Sequence, residues 1–385
     1  MCFTIHLMSE NRTVTKREVR VQIITDDQEL LRLAPAWNGL FARAEKPFVT
    51  QGFEWAWSVR KHLLEGGRLR CIFLWDGDRV VLIWPTVIIR HHRLWTAEIP
   101  IGMAGDYIDF LFEPSPEAET FAKLAWQNRS WKADLALIGR VRVSSLLHRV
   151  LAGQAVIPVQ SQPARYLEWD QFTDWTAYYR SLSERRSIAS RQRKLVERGN
   201  VSFEAANEVS EVWKLSEWMV RHKEVWLAAK GGPSPWVGSR SYEKFLFSAP
   251  GDLRKDGSIA AFALLLDGRP IAVQICVIGM SRLIRLHDAY DQEFRAFSPQ
   301  HILTIRVMEW AYERRLAVDF CFGAEPYKKV FLPGNCPVED YRIANSQFGK
   351  LHEFLRSMYL ERRIEHRSSK VADNALPLQA LPRRR

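Results

Sequence analysis

Two stretches of this chain pass through the same order of elements, and that repetition limits its fold more than any other feature. In the first stretch, Leu69–Trp75 reads as a strand, Asp76-Gly77-Asp78 as a tight turn and Arg79–Ile89 as the returning strand. Leu94–Ile101 gives a third strand. A polar loop, Gly102–Asp109, leads to a helix over Pro116–Arg129 and a strand over Asp134–Ile138 that ends at Gly139. The second stretch repeats this: strand Ile259–Leu266, turn Asp267-Gly268, strand Pro270–Ile278, strand Leu283–Asp288, loop Tyr290–Phe297, helix Gln300–Arg314, strand Val318–Phe322, then Gly323. The Asp-Gly turns lie 191 residues apart and the two glycines 184 apart. Order, turn chemistry and spacing together predict two copies of one α/β unit, although few residues are identical between them.

Chemistry concentrates in the second copy, between His287 and Lys329. A polar stretch (His287, Asp288, Tyr290, Asp291) leads to Ser298-Pro299. This is a helix start, because a serine hydroxyl can cap free backbone N–H groups and proline has none to lose. The helix has a wide apolar face that includes Ile302, Leu303, Val307 and Met308, and a short strand carries the chain to the polar elbow Gly323-Ala324-Glu325-Pro326-Tyr327-Lys328. A helix N-terminus at such an opening offers unpaired N–H groups and the positive end of a dipole to an anion.

The chain has 385 residues, enough for two or three domains. Hydrophobic residues make up 47%, which argues for packed cores and against disorder. A net charge of +11 suits nucleic acid, anionic lipid or a polyphosphate ligand without choosing among them. The five cysteines are scattered with no CxxC pair, so they suggest neither a zinc site nor a disulfide framework and read as reduced thiols. The apolar run Val80–Ile89 is too short to span a bilayer as a helix. These features predict a cytoplasmic protein, peripheral to the inner membrane at most.

Between the repeats, Gln154–Ala164 has the composition of a linker or an edge strand. Asp170–Arg198 reads as two helices rich in arginine, with Arg180, Arg185, Arg186, Arg191, Arg193, Lys194 and Arg198 opposed only by Glu184 and Glu197. Val209–Lys230 is a helix closed by Gly231-Gly232-Pro233. The predicted organisation is a flexible leader over 1–18, an N-terminal lobe over 19–160, a C-terminal lobe over 165–362 and a disordered basic tail over 363–385.

In order and spacing, several motifs resemble one family. They are Gly105-Asp106-Tyr107-Ile108-Asp109, the Ser/Arg-rich helix around Leu182–Gly199, His222…Trp226…Gly231-Gly232, Asp267-Gly268-Arg269-Pro270, Tyr290-Asp291, Ser298-Pro299, and Asp319-Phe320…Gly323-Ala324-Glu325…Tyr327-Lys328. Together they resemble the GNAT-superfamily acyltransferases of the CelD-like group, which carry a BioF-like acetyltransferase domain, and through them the FemAB peptidyltransferases. The resemblance implies an α/β fold of tandem GNAT-like lobes, each a mixed central sheet flanked by helices. It also implies acyl-CoA, in the simplest case acetyl-CoA, as co-substrate, with no metal. There are departures. The group usually has Gly after Ser-Pro, where this chain has Gln300, and Arg before the tryptophan, where it has Val225.

Such a transferase needs donors for the cofactor's phosphates, a donor for the developing oxyanion and a base for the nucleophile. The resemblance places the oxyanion donor where Leu283–Asp288 and Val318–Phe322 part. The named candidates are Asp291, Glu325, Tyr327 and Tyr290 for catalysis, with Asp288 and His287 as further bases. Ser298, Gln300, His301 and Lys328 are candidates for the cofactor; His287, Asp288, Trp226, Arg186 and Arg191 are candidates for the acceptor. The expected acceptor is a sugar- or peptide-related amine or hydroxyl, in extracellular polysaccharide or cell-envelope synthesis. The expected further contacts are the membrane surface or a polysaccharide synthase. Two rivals fit the same residues: a Fem-like transferase using aminoacyl-tRNA, the one case that brings in nucleic acid, and a non-catalytic binding partner of a polysaccharide synthase.

Overall fold

The computed structural model describes residues 2–7, 17–91, 94–105, 107–129, 133–154, 156–230, 239–252 and 258–359. The Gly231-Gly232-Pro233 stop and the predicted tail from 363 lie outside the described residues.

The first lobe runs β1 (Cys2–Leu7), β2 (Arg17–Ile24), α1 (Asp27–Arg32), α2 (Ala34–Arg43), α3 (Phe53–His62), β3 (Arg68–Asp76), β4 (Arg79–His91), β5 (Trp95–Pro100), β6 (Leu111–Phe112), α4 (Ala118–Gln127), β7 (Leu135–Arg142) and α5 (Leu146–Ala152). The second runs β8 (Gln160–Leu167), α6 (Trp175–Ser181), α7 (Arg185–Val196), β9 (Val201–Ala206), α8 (Val209–Lys230), α9 (Arg240–Asp252), β10 (Ser258–Leu266), β11 (Arg269–Ile278), β12 (Arg282–Tyr290), α10 (Pro299–Glu313), β13 (Ala317–Phe322), α11 (Pro326–Phe331) and β14 (Gly334–Ala344). A last helix covers residues 347–359.

The strands join into one 14-stranded sheet ordered β1-β2-β3-β4-β5-β7-β14-β8-β13-β12-β11-β10-β9, with β6 on β4. The repeat is real in topology. Each lobe has an antiparallel run (β2-β3-β4-β5 and β9-β10-β11-β12) that ends in a parallel pair (β5 with β7, β12 with β13). At the centre the lobes exchange strands. β14, from the end of the second lobe, pairs with β7 of the first, and β8, which follows the first lobe, pairs with β13 of the second. β8 and β14 then pair with each other. The stretch expected to be a linker or edge strand is therefore central. The leader contributes a paired strand, because β1 lies antiparallel to β2. The spacing of Gly139 and Gly323 is not the structural match. Gly139 lies inside β7, and the equivalent points are Arg140 and Cys321, both at φ 60 beside a register shift.

One face of the sheet carries α1–α3 together with α8 and α9, whose apolar sides merge into a single core that crosses the lobe boundary; Trp55 and Phe245 meet edge to face at 5.2 Å. The other face is divided between α4 and α5 in the first lobe and α6, α7, α10 and α11 in the second. A buried polar cluster also joins the lobes. Asp319 on β13 is fully buried, and Oδ1 accepts from the Tyr107 hydroxyl (2.6 Å) and the Cys321 N–H (2.8 Å). Arg142 and Arg282 lie 3.6 and 3.5 Å from Oδ2. Tyr107 and Arg142 come from the first lobe, so this carboxylate sits where the two lobes meet.

Candidate active site

The parallel ladder between β12 and β13 ends at Ile284 and Asp319. Beyond it the strands part, because β12 bulges between its partners Ile275 and Cys276 while β13 shifts toward β8. Arg285 takes the start of the gap. Its guanidinium lies 3.8 Å from the Phe320 ring centre and donates through Nη2 to the Tyr327 hydroxyl. The Cys321 thiol reaches the Arg285 carbonyl at 3.5 Å. Past this plug the gap opens into a cleft of about 330 Å³, at the low end of ligand-pocket sizes.

Gln292, from the 3₁₀ turn after β12, and four further elements line the cleft. α8 contributes His222, Lys223 and Trp226; the end of β12 contributes Asp288 and Tyr290; the opening turn of α10 contributes Gln300 and His301; and α11 begins with Glu325 and Tyr327 facing in. The start of α10 has a particular cause. Ser298 adopts the left-handed conformation (φ 49, ψ 56) and Pro299 takes the first helical position. The expected hydroxyl cap is not made. Ser298 Oγ instead accepts from Arg191 Nη1 at 2.9 Å, which ties α7 to the helix start, and the Ser298 carbonyl accepts the His301 N–H.

The electrostatics separate the carboxylates. Burial opposes ionisation of Asp288, but Arg285 and Lys223 beside it prevail and hold its carboxyl at about 2. Lys223 Nζ lies 3.3 Å from Asp288 Oδ1 and also donates to the Asp288 carbonyl. Asp288 is thus a fixed anion. Glu325 is more exposed and lies 3.1 Å from Lys328 Nζ. Burial raises the Tyr327 hydroxyl, with Arg285 opposing, so the phenol stays protonated. His287 is pushed down to about 4 by burial, with Lys223 adding to it, and Tyr242 of α9 shares a hydrogen bond with its Nε2. It is neutral near pH 7 and does not line the cleft.

The cleft thus brings together seven of the named candidates: Trp226, Asp288, Tyr290, Gln300, His301, Glu325 and Tyr327. The others sit elsewhere. Asp291 caps the 3₁₀ turn Gln292–Phe297, accepting from the Glu293 N–H at 3.0 Å. Lys328 is buried, with its amine on the Phe322 carbonyl and Glu325, so it is not free for a phosphate. Arg186 is on the exposed side of α7, and Arg191 acts through Ser298. Sequence reasoning missed Lys223, hidden in an apolar-looking helix, and Arg285, which reads as an ordinary strand residue. Gly323 is explained by the pair beside it. Its φ of +128 is a conformation that side chains rarely adopt, and a Cβ there would also push on the Glu325 and Lys328 head groups, 2.2 Å from Oε2 and 2.8 Å from Nζ.

Gln300 is the cleft's unusual feature. It is 9% exposed, and neither its Nε2 nor its Oε1 has a partner among the described residues. A buried amide left this way costs about 1–3 kcal/mol unless something satisfies it. Together with the opening turn of α10, it is a fitting cradle for a polar, anionic part of a ligand.

Comparison with known proteins bears on the fold and the domain. Residues 183–329, which hold α7 through most of α11, match a family model described as an acetyltransferase (GNAT) domain. The crystal structure of FemX is similar in fold over 86% of this chain and 99% of its own, with a TM-score of 0.60 at 14% identity. The C-terminal domain of a putative lysylphosphatidylglycerol synthetase from Agrobacterium fabrum is similar over 84% of this chain and 96% of its own, with a TM-score of 0.53 at 12% identity. No curated protein matches the chain by sequence. Residues 183–329 therefore form a GNAT acetyltransferase domain within a two-lobed fold similar to that of FemX, and that domain marks the chain as an acyltransferase.

Proposed function

We propose that the chain transfers an acyl group, acetyl in the simplest case, from a CoA thioester to the amine or hydroxyl of a sugar- or peptide-related acceptor in building extracellular polysaccharide or cell envelope. The reading rests on one observation: the end of β12 beyond its ladder with β13, the opening of α10 with the Gln300 amide, and the side chains of Glu325 and Tyr327 all face one cleft. The donor's phosphates would lie at the first turn of α10. Its carbonyl would lie against the edge of β12 that has no ladder partner beyond Ile284.

Glu325 would accept the proton of the attacking amine or hydroxyl, and Tyr327 would give one to the departing thiolate. The acyl–sulfur bond breaks as the acyl–nitrogen or acyl–oxygen bond forms, with no covalent acyl-enzyme. Arg285, packed under Tyr327, would hold the phenol in place. Asp288, held ionised, would orient an ammonium or hydroxyl group of the acceptor.

A second reading, an aminoacyl-tRNA donor, is favoured by the exposed basic run Arg186, Arg193, Lys194 and Arg198 on and just after α7. A thermal-shift titration separates the two. Acetyl-CoA at 100 times its Kd should stabilise the folded protein by about 2.7 kcal/mol. A shift with charged tRNA and none with any CoA thioester would replace the first reading with the second.

A further inference from the structure

The helix over 347–359 is amphipathic, but its faces are reversed. Its polar side packs on the fold. Glu353 accepts from Arg342 Nη2 at 2.8 Å and from Arg356 Nε at 3.1 Å. His352 lies edge-on to Trp95 at 4.7 Å. Gly349 sits so close to the Asp134 carbonyl that a Cβ there would lie 2.0 Å from its oxygen. The apolar side points to solvent: Phe348 is 69% exposed, Phe354 59% and Tyr359 63%, with Leu351, Leu355 and Met358 between them. Positions 348, 351, 355, 358 and 359 fall at the three- and four-residue spacing of one helical stripe, roughly 17 Å long.

A second element joins the stripe. Trp95 Nε1 donates to the Phe348 carbonyl at 3.0 Å, which holds the start of β5 against the helix. The residue before it, Leu94, is 80% exposed. Exposed apolar side chains on two elements held together in this way are the mark of a contact surface rather than of scattered exposure.

Charge identifies what covers it. Arg90 on β4 and Lys350 on the helix are exposed. Residues 360–385, which follow the helix directly, carry seven Lys or Arg against three Asp or Glu, and the whole chain is +11. A second copy would bring these like charges together, whereas an acidic lipid surface would neutralise them.

We propose that helix 347–359 and Leu94 dock the protein on an acidic phospholipid bilayer. The apolar stripe lies at the boundary of headgroups and acyl chains, and the basic neighbours meet lipid phosphates. Such a helix lies in the plane of the interface. No helix of the described residues is long and apolar enough to cross a membrane.

The test is flotation of the full chain with vesicles of mixed phosphatidylglycerol and phosphatidylcholine, and with vesicles of phosphatidylcholine alone. The wild type is expected to float with the acidic vesicles and to be released by high salt. Phe354→Glu combined with Leu355→Glu should weaken this partition by about tenfold or more, with an unchanged circular dichroism spectrum. Leu94→Glu, on the other element, should weaken it several-fold, so the reading stays testable if the helix variant folds poorly. It is overturned if the wild type does not bind acidic vesicles, if both variants bind as the wild type does, or if the wild type sediments as a dimer that Leu355→Glu dissociates.

Discussion

Asp319 offers a quantitative test of how the lobes are joined. Tyr107→Phe removes one hydrogen bond to a buried carboxylate, at 2.6 Å, and leaves Asp319 with the Cys321 N–H and two arginines. Hydrogen bonds to charged groups contribute about 1.5–3 kcal/mol, so the expected loss is about 2 kcal/mol. Asp319→Asn keeps the shape and one acceptor but removes the charge that Arg142 and Arg282 face. Arg282 retains Glu168 at 2.5 Å, while Arg142 loses its counter-ion. Removing one partner of a buried pair costs about 3–5 kcal/mol, and the surviving Glu168 pair puts this case near 3 kcal/mol. In the double variant the Tyr107 bond removed is one to a neutral amide, weaker by about 1 kcal/mol than one to a carboxylate, so the total should fall short of the sum by about 1 kcal/mol. Urea unfolding followed by tryptophan fluorescence supplies all four corners of the cycle. If the losses add within about 0.5 kcal/mol, the phenol and carboxylate do not meet and the inter-lobe cluster is wrong as described.

Glu325→Gln should cut turnover by about 10²-fold or more and cost only about 1 kcal/mol of stability, because the side chain is largely in solvent although buried Lys328 loses its counter-ion. Tyr327→Phe should lower turnover similarly and cost about 1 kcal/mol, since Arg285 loses its hydroxyl partner; steady-state kinetics beside urea melts will show whether turnover and stability separate. Gln300→Leu removes a buried amide that has no partner among the described residues, so the fold should be as stable or more so while donor binding weakens about tenfold, read by calorimetry on the same sample. His287 sits at about 4 against about 6.5 unfolded, so the unfolded chain binds more protons between those values and this group's contribution falls as pH drops from about 6.5 to 4, by at most about 3 kcal/mol. Asp109, raised to about 6 by burial, works in the opposite sense over about 6 to 4. The readout is therefore the difference between wild type and His287→Gln, whose penalty should shrink on acidification; a constant difference would refute the assignment.

Local signals carried the repeat, because turns such as Asp267-Gly268 need positive φ at both residues and alternate with strands of clear period. Which strands pair at the centre is set by the other lobe and leaves no local trace. β8 begins Gln160-Ser161-Gln162-Pro163, polar enough to pass for a linker, and is central only because β14 and β13 flank it. In the site, the GAEPYKK elbow was legible as a place but not as roles. Lys328 looks like a phosphate ligand until its amine is seen turned back on the Phe322 carbonyl, and Asp291 looks like a base until it caps a turn. Lys223 was invisible because nothing in α8 says which side of it meets Asp288. The helix over 347–359 would read from its period as a core helix, whereas the structure turns that apolar side outward.

The central claim is that the second lobe's cleft holds a thioester donor at the start of α10. Calorimetric titration of acetyl-CoA into the full chain and into Gln300→Leu tests it most directly. The account predicts one site per chain, with a Kd of about 1 μM to 1 mM for the wild type and roughly tenfold weaker binding for the variant. Absence of binding by the wild type, or equal binding by the two proteins, would contradict it.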